Sequence, residues 1–567
     1  MAQARLTPVA KGLIVLIILG GAGAAAWHLG LKDQFGGEET ANSGDGDGDN
    51  TDGNNNGGGG DSGGPLGSSG NPLKVSIVSF HGYAPALLAN GKSLTTQPGS
   101  IMANNNVNVE FIIQDDIPTL PTIFESGTAH CAWRTSDFWA QEQPNLRNNN
   151  LDGRAVMVVD NTQGADAIIA KDPSIRRVED LVGKRIALLQ FTPSHGMTID
   201  AIENSSLTAR QKSQIQYVFI NADDGLAGVR AALESGSADA AALWDPDLSL
   251  ALQGIPGSRV IYSTRIATNL IYDVIVCDKR VLDDSANDAA ISNFVKSWME
   301  GVPAARADED GAVEALVRTE DFFAQLARDE GEPFVKGLFS NLVWTGLEDN
   351  IRILGLAGGT NHYERVYRRF DGIYREAGAL ANPNSPVINP QQSFEYKYIR
   401  SMMEAAPQAR EVAQRPQFEF TAQERDEVAE AVEQETQVPV VTRPVIVNFA
   451  TGSAELNRRS QRTIDTEMVP LIENHGSAYF EVSGNTDSTG SRSVNQRLSR
   501  ERAQAVVDYL VAQWEFPTER FIIVGNGSSK PLCDEGSPDE GLSLEDCQAR
   551  NRATRVAILQ RHQQDAG

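Results

Sequence analysis

From Lys74 onward, short apolar runs alternate with helix-patterned stretches, and this alternation most narrows the folds open to the chain. Val75–Phe80, Val109–Ile113, Ala155–Val159, Arg185–Leu189, Tyr217–Ile220 and Ala240–Leu243 read as strands, with Ser194–Glu203 and Gly225–Ser235 as helices between them. The pattern predicts an α/β domain with mostly parallel sheets. In such sheets ligands bind beyond the carboxyl ends of strands, where loops pass into helix N-termini. The loops in that position are His81–Pro85 with Gly82 and Tyr83, Arg134–Asp137 with Thr135 and Ser136, Phe191–Gly196 with Ser194 and His195, and Trp244–Pro246 with Asp245. Hydroxyls, amides and a helix start at 192–196 would suit an anionic head group, and Tyr83, Trp133 and Trp139 offer stacking faces. Blander readings exist for each. Thr135 and Ser136 also suit helix caps, His195 a solvated cap, and Trp244 packing at a domain edge.

The N-terminus constrains location. Arg5 and Lys11 precede an uncharged run from Gly12 through Trp27 that ends near Leu31, close to the ~20 residues that span a bilayer core. Residues 12–31 read as one inner-membrane helix, with 1–11 cytoplasmic and the bulk of the chain in the periplasm. A cleaved signal peptide is the alternative, since Ala22–Ala26 offers small-residue cleavage patterns. Residues 32–72 are Gly, Asn, Asp and Ser with almost no apolar side chains, a composition that cannot bury a core. As a coil, ~40 residues span about 35 Å. Asp45, Asp47, Asp49 and Asp52 lack the flanking helices and closing Glu of a Ca²⁺ loop. A net charge of −26 argues against nucleic-acid partners. No CxxC or His-x-Glu spacing points to a metal, and no cofactor motif or catalytic constellation appears. Cys131 and Cys277 sit in apolar surroundings and read as buried thiols, while Cys533 and Cys547 bracket an acidic, Gly-rich loop.

Residues 385–440 read as a helical connector, with Met402, Met403, Val412, Val428 and Val432 at helix-compatible positions. Beyond it, Val445–Phe449, Tyr479–Ser483, Arg520–Gly525 and Arg555–Leu559 read as strands, with helices over Ser460–Asn474 and from Asn495 to about Gln513. Asn495, Leu498 and Arg502 share one face of the second helix with Val506 and with Tyr509 or Leu510. Arg502 therefore lies on an inward stripe, where an unpaired charge is costly. Its partner is either Asp487, on the Gly-flanked turn Ser483–Asp487, or a charged group bound from outside.

Two resemblances follow from these residues. Asn448–Leu456 with Phe449, Ser483–Asp487 with Thr486, Asn495–Ala503, Gly525–Asn526–Gly527 with Lys530–Pro531, and Asn551–Arg552 together resemble the OmpA-like peptidoglycan-binding domain over 441–563. The resemblance implies a βαβαββ α+β sandwich in which Asp487 and Arg502 grip the diaminopimelate of the wall stem peptide, and a Cys533–Cys547 disulfide before the last strand. Ala553 stands where the family usually has a second Arg. Asp160–Ile169, Val178–Ala187 and Gly236–Ala240 before Trp244–Asp245–Pro246 resemble the sulfonate/nitrate/taurine (type II) periplasmic solute-binding proteins, over 73–384. That likeness implies two lobes closing on a small anionic or zwitterionic solute. Gly91–Asn106 is longer and more Asn-rich than the family pattern. Taken together, these features describe a membrane-tethered, non-enzymatic receptor held to the wall, with room for a transporter partner. The alternative is a structural membrane-to-wall linker whose binding-protein domain recruits envelope proteins.

Overall fold

The computed structural model describes residues 64–561 apart from 117–118, 435–438, 448, 451 and 539–541. The expected cytoplasmic segment, membrane helix and most of the tether lie outside these residues. Among the described residues, no helix is long and apolar enough to cross a membrane. The tether expected to reach 72 gives way sooner to folded chain. Gly67 N–H donates to Asn71 O (2.8 Å), and half-buried Leu66 packs on the core.

Eleven strands build the first two layers: β1 (Leu73–Ile77), β2 (Val109–Ile113), β3 (Cys131–Thr135), β4 (Gly153–Thr162), β5 (Asp166–Ala170), β6 (Arg185–Leu189), β7 (Gln216–Ile220), β8 (Ala240–Trp244), β9 (Arg259–Ser263), β10 (Tyr272–Asp278) and β11 (Leu342–Trp344). One sheet runs β11-β4-β10-β3-β1-β2 and the other β7-β6-β8-β5-β9. These are the two lobes. The chain passes between them through 163–165 and returns through 264–271. The two passages are tied together, with Gly164 N–H donating to Thr264 Oγ1 (2.9 Å) and Thr162 N–H to Ile271 O (3.2 Å).

The sheets are mixed, not mostly parallel. β10 runs antiparallel to β3 and β4, and β5 antiparallel to β8 and β9. Strands adjoining an inter-lobe crossing enter their sheets reversed, and the period of apolar residues carries no sign of strand direction. The same reversal corrects the reading of Cys131 and Cys277 as thiols. They face each other across β3 and β10 with Cα atoms 3.9 Å apart and form a disulfide.

The C-terminal module has β12 (Val441–Val445), β13 (Tyr479–Gly484), β14 (Phe521–Gly525) and β15 (Thr554–Leu559) in the order β12-β15-β13-β14. β12 begins four residues before the strand expected at Val445–Phe449. It includes Pro444, which an edge strand tolerates because its N–H side can go unpaired. Helix Leu544–Asn551, which carries Cys547 and so ends the loop closed by the Cys533–Cys547 disulfide, has no counterpart in the sequence reading; an acidic, Gly-rich stretch hides so short a helix.

The connector divides between the modules. Helices Lys397–Ala405 and Pro407–Ala413 pack with helix Leu347–Ile353 on the first lobe, while helix Ala422–Glu433 buries Val428 against Tyr479 and Leu559 of the C-terminal module. Direct contacts also join the modules. Arg365 pairs with Glu473, Tyr262 Oη meets His475 Nε2 (3.0 Å), and Asn269 N–H donates to Asn474 O (3.0 Å). Thr442 N–H donates to Glu179 Oε1 (3.0 Å), and Arg443 donates to Asn204, so both lobes touch the C-terminal module.

Candidate functional site

The cavity between the lobes encloses about 260 Å³. Thr135, Trp244 and Asp245 line it, as the loop argument placed them. Gly82, Tyr83, Ser136, Ser194 and His195 do not. Tyr83 is buried and donates its hydroxyl to Asp273 Oδ2 (2.7 Å). Gly82 backs onto Asp160, whose carboxylate would sit 1.9 Å from a Cβ there. Ser136 Oγ accepts from Tyr272 N–H (3.4 Å). Ser194 is buried beside the helix start. His195 is buried between Tyr217 and Phe219, its Nδ1 accepting from Phe191 N–H (3.1 Å), and burial pushes its pKa down to about 4.

The helix start at 192–196 does not offer the expected row of free amides. Pro193 has no N–H, and the N–H groups of His195 and Gly196 both donate to Thr192 O. The charge of the cavity is also the reverse of an anion site. Asp115, Asp116, Asp166, Asp245, Asp247 and Asp273 line it, and among the described residues no Lys, Arg or His does. Burial raises the Asp166 carboxyl well above its usual range, with Asp273, Asp137 and Asp245 adding to the effect. Burial also lifts Asp273 to about 7, against the pull of the Tyr83 hydroxyl, and Asp245 to about 6, against bonds from Ser249 and Asn341. Asp166 was visible in sequence only as part of the Asp160–Ile169 run, and Asp273 not at all, because its strand came from no recognised motif.

The second site lies on the C-terminal module. A Cβ on Gly484 would sit 1.9 Å from Ser499 O, so β13 and helix Arg492–Trp514 meet backbone to backbone. That approach sets Asn495 over the turn following β13 and Arg502, two turns further on, against Phe449, Ala450 and Ser453. Asn495 Nδ2 donates to Asp487 O (3.3 Å) and Thr489 O (3.0 Å), holding the turn in place. Thr486 N–H donates to Gly527 O (2.8 Å), and Leu498 sits half-buried at the edge of the face.

Arg502 is 6% exposed and is not bonded to Asp487. Its Nε donates to Ser453 O (3.1 Å), its Nη2 reaches Ala450 O (3.4 Å), and its guanidinium stacks 5.0 Å from the Phe449 ring centre. Asp487 is claimed by Arg552, whose Nη1 lies 2.5 Å from Oδ2. The direct Asp487–Arg502 pair open from sequence is therefore replaced by a three-residue group. Burial lowers the Arg502 pKa first, the neighbouring Arg552 adds to this, and Asp487 opposes both. Two guanidiniums against one carboxylate leave a positive charge uncompensated beside an aromatic face.

The disulfide loop supports this group. Glu535 accepts from Ser488 N–H (3.1 Å) and Oγ (2.6 Å), and from Asn551 Nδ2 (2.9 Å). Burial alone would raise the Glu535 carboxyl, but these bonds and one from Gln548 outweigh it and hold it at about 2. Asn551, next to Arg552, also accepts from Leu532 and Cys533 N–H groups (2.8 and 3.0 Å).

Residues 448–541 match the OmpA family. This part of the chain is an OmpA-family domain. It is 39% identical over 121 residues to Outer membrane protein A of Klebsiella aerogenes, covering 20% of this chain and 32% of that protein. Outer membrane protein A of Shimwellia blattae is 34% identical over 121 residues, 47% of its length, and Outer membrane protein P5 of Haemophilus influenzae 31% over 134 residues, 37% of its length. The chain thus spans about a third to a half of these curated relatives. Among solved structures, the periplasmic aliphatic sulphonate binding protein SsuA from Escherichia coli aligns with 57% of this chain and 92% of its own, at 17% identity and a TM-score of 0.43. The desulfurization enzyme DSZB aligns with 59% and 99%, at 12% identity and a TM-score of 0.39. At such scores these likenesses say nothing of what the chain binds.

Proposed function

We propose that this protein is a non-enzymatic solute receptor of the cell envelope, held to peptidoglycan by its OmpA-family domain. The observation that carries the reading is the group formed by Asp487, Arg502 and Arg552 beside Phe449, on a domain that also contacts both lobes of a ligand-sized cleft. Diaminopimelate presents a carboxylate next to an ammonium. The excess positive charge of the two arginines favours the carboxylate, which guanidiniums bind in a forked geometry. Among the described residues, the Arg502 Nη1 has no hydrogen-bond partner and is available for that contact. The ammonium then shares Asp487 with Arg552, whose side chain is 42% exposed and free to shift.

The cleft suits a bound solute, because its lining combines hydroxyls, carboxylates and aromatic rings around a cavity of about 260 Å³. We read residues 12–31 as the inner-membrane anchor and the Gly/Asn/Asp segment after it as a tether, which would place the receptor in the periplasm within reach of a transporter or sensing partner.

Co-sedimentation with purified peptidoglycan tests the assignment. The wild-type protein should pellet with the wall, and Asp487→Ala and Arg502→Ala should each remain in the supernatant while keeping the wild-type circular dichroism spectrum. Folded variants that still pellet would remove wall binding from the proposal.

A further inference from the structure

We infer that the solute held between the lobes is an organic cation, an ammonium or amidinium group on an apolar body. The inference rests on reading the cleft as a solute site and adds the charge of its occupant. Carboxylates come from both walls: Asp115 and Asp116 follow β2 and Asp273 lies on β10 in one sheet, while Asp166 begins β5 and Asp245 follows β8 in the other. Asp166 and Asp273 are each 4% exposed, line the cavity, and have no Lys, Arg or His paired with them among the described residues. Buried carboxylates without a counter-charge are costly. Here both carboxyls border one cavity of about 260 Å³, where a cation could meet them.

Closure gives the arrangement a use. Bringing the lobes together crowds Asp166 and Asp245 against Asp115, Asp116 and Asp273, so closing without a ligand either brings carboxylates together or holds protons on them, and a cation removes that cost. Ligand charge would then select the closed form, as differential affinity for one conformation requires.

Two features separate an organic cation from a metal ion. No three of the described carboxylates converge as the ligands of a metal would. Trp133 and Trp244 line the same cavity and offer faces to which an alkylammonium is attracted both electrostatically and by apolar contact. An anion finds little here, since the amides of His195 and Gly196 at the nearby helix start are already committed to Thr192.

The test is titration calorimetry and thermal melting of the full-length protein. Putrescine, agmatine and choline serve as cationic probes, and ethanesulfonate and nitrate as anionic ones. The inference expects at least one cation to bind and raise Tm, neither anion to do so, and Asp166→Asn to weaken the cation at least tenfold. Asp166→Asn conserves volume and relieves repulsion, so it should melt no lower than wild type without ligand. Asp273→Asn gives a second, independent loss. Binding of an anion without any cation would overturn the charge inference and leave the solute-site reading standing. Cation binding unaffected by both variants would also overturn it. Failure of every probe, cation and anion alike, would sink the solute-site reading and the inference together.

Discussion

Arg365 and Glu473 join the two-lobed module to the OmpA-family domain, and Arg365→Ala isolates that junction. Their side chains are 15% and 10% exposed, so the pair is largely shielded from water. Glu473 Oε1 also accepts from the Thr360 hydroxyl (2.6 Å), and Arg365 Nη2 donates to Asn474 Oδ1 (2.9 Å). Removing the guanidinium leaves a buried carboxylate with one hydroxyl and an asparagine oxygen without its donor. One-sided loss of a buried ion pair costs about 3–5 kcal/mol, and the lost hydrogen bond about 1 kcal/mol more. The nearby contacts, Tyr262 with His475 and Asn269 with the 473–474 backbone, are neutral, and the charged ones, Thr442 with Glu179 and Arg443 with Asn204, involve other residues and leave Glu473 without a cation. The cost falls on docking and not on either core. Calorimetry should therefore resolve the OmpA-family domain as a separate transition in the variant but not in wild type. A cycle with Glu473→Ala should return a coupling on the order of 2 kcal/mol. A coupling below about 0.5 kcal/mol, or a variant that melts as wild type does, would refute this account of the junction.

Gly484→Ala should destabilise the OmpA-family domain by about 1–3 kcal/mol or more in urea unfolding, because its Cβ meets Ser499 O at 1.9 Å; wild-type stability would contradict the close approach. Replacing Cys131 and Cys277 together by Ser should lower the stability of the two-lobed module by about 2–5 kcal/mol, and a reductant should reproduce the loss in wild type only. Affinity for a bound cation should fall as pH drops from 8 to 6. Asp273 faces Tyr83, Asp160, Asp137 and Asp166, and its carboxyl, raised to about 7 when the cleft is empty, must lose a proton to meet the ligand. Calorimetry should show roughly tenfold weakening per pH unit below that value, and a flat profile would exclude the role of this carboxylate.

Local pattern made much of the fold legible. β2, β6 and helix Gly225–Ser235 fall where apolar spacing put them, because each buries one well-marked face. β5, β9 and β10 were missed. They belong to the passages between lobes, where the decisive partners are distant in sequence and a short apolar run looks alike in either direction. The same distance hid the Cys131–Cys277 bond, across 146 residues. On the OmpA-family domain, motif and helical periodicity single out Asp487, Asn495 and Arg502. Arg552 belongs to a basic motif visible in the sequence, but its pairing with Asp487 is not, since the sheet order β15-β13 brings them together. In the cleft, loop positions identified Thr135, Trp244 and Asp245, yet the charge of the cavity emerged only when Asp166 and Asp273 were placed on facing strands.

The central claim is that two arginines and an aspartate on the OmpA-family domain recognise a carboxylate beside an ammonium. Titration calorimetry with two stem peptides, identical except for diaminopimelate or lysine at the third position, tests it most directly. Lysine keeps the ammonium and lacks the adjacent carboxylate. The account predicts binding of the diaminopimelate peptide, loss of at least tenfold in affinity for the lysine peptide, and no discrimination between them by Arg502→Ala. Equal affinity of the wild-type protein for both peptides would contradict it.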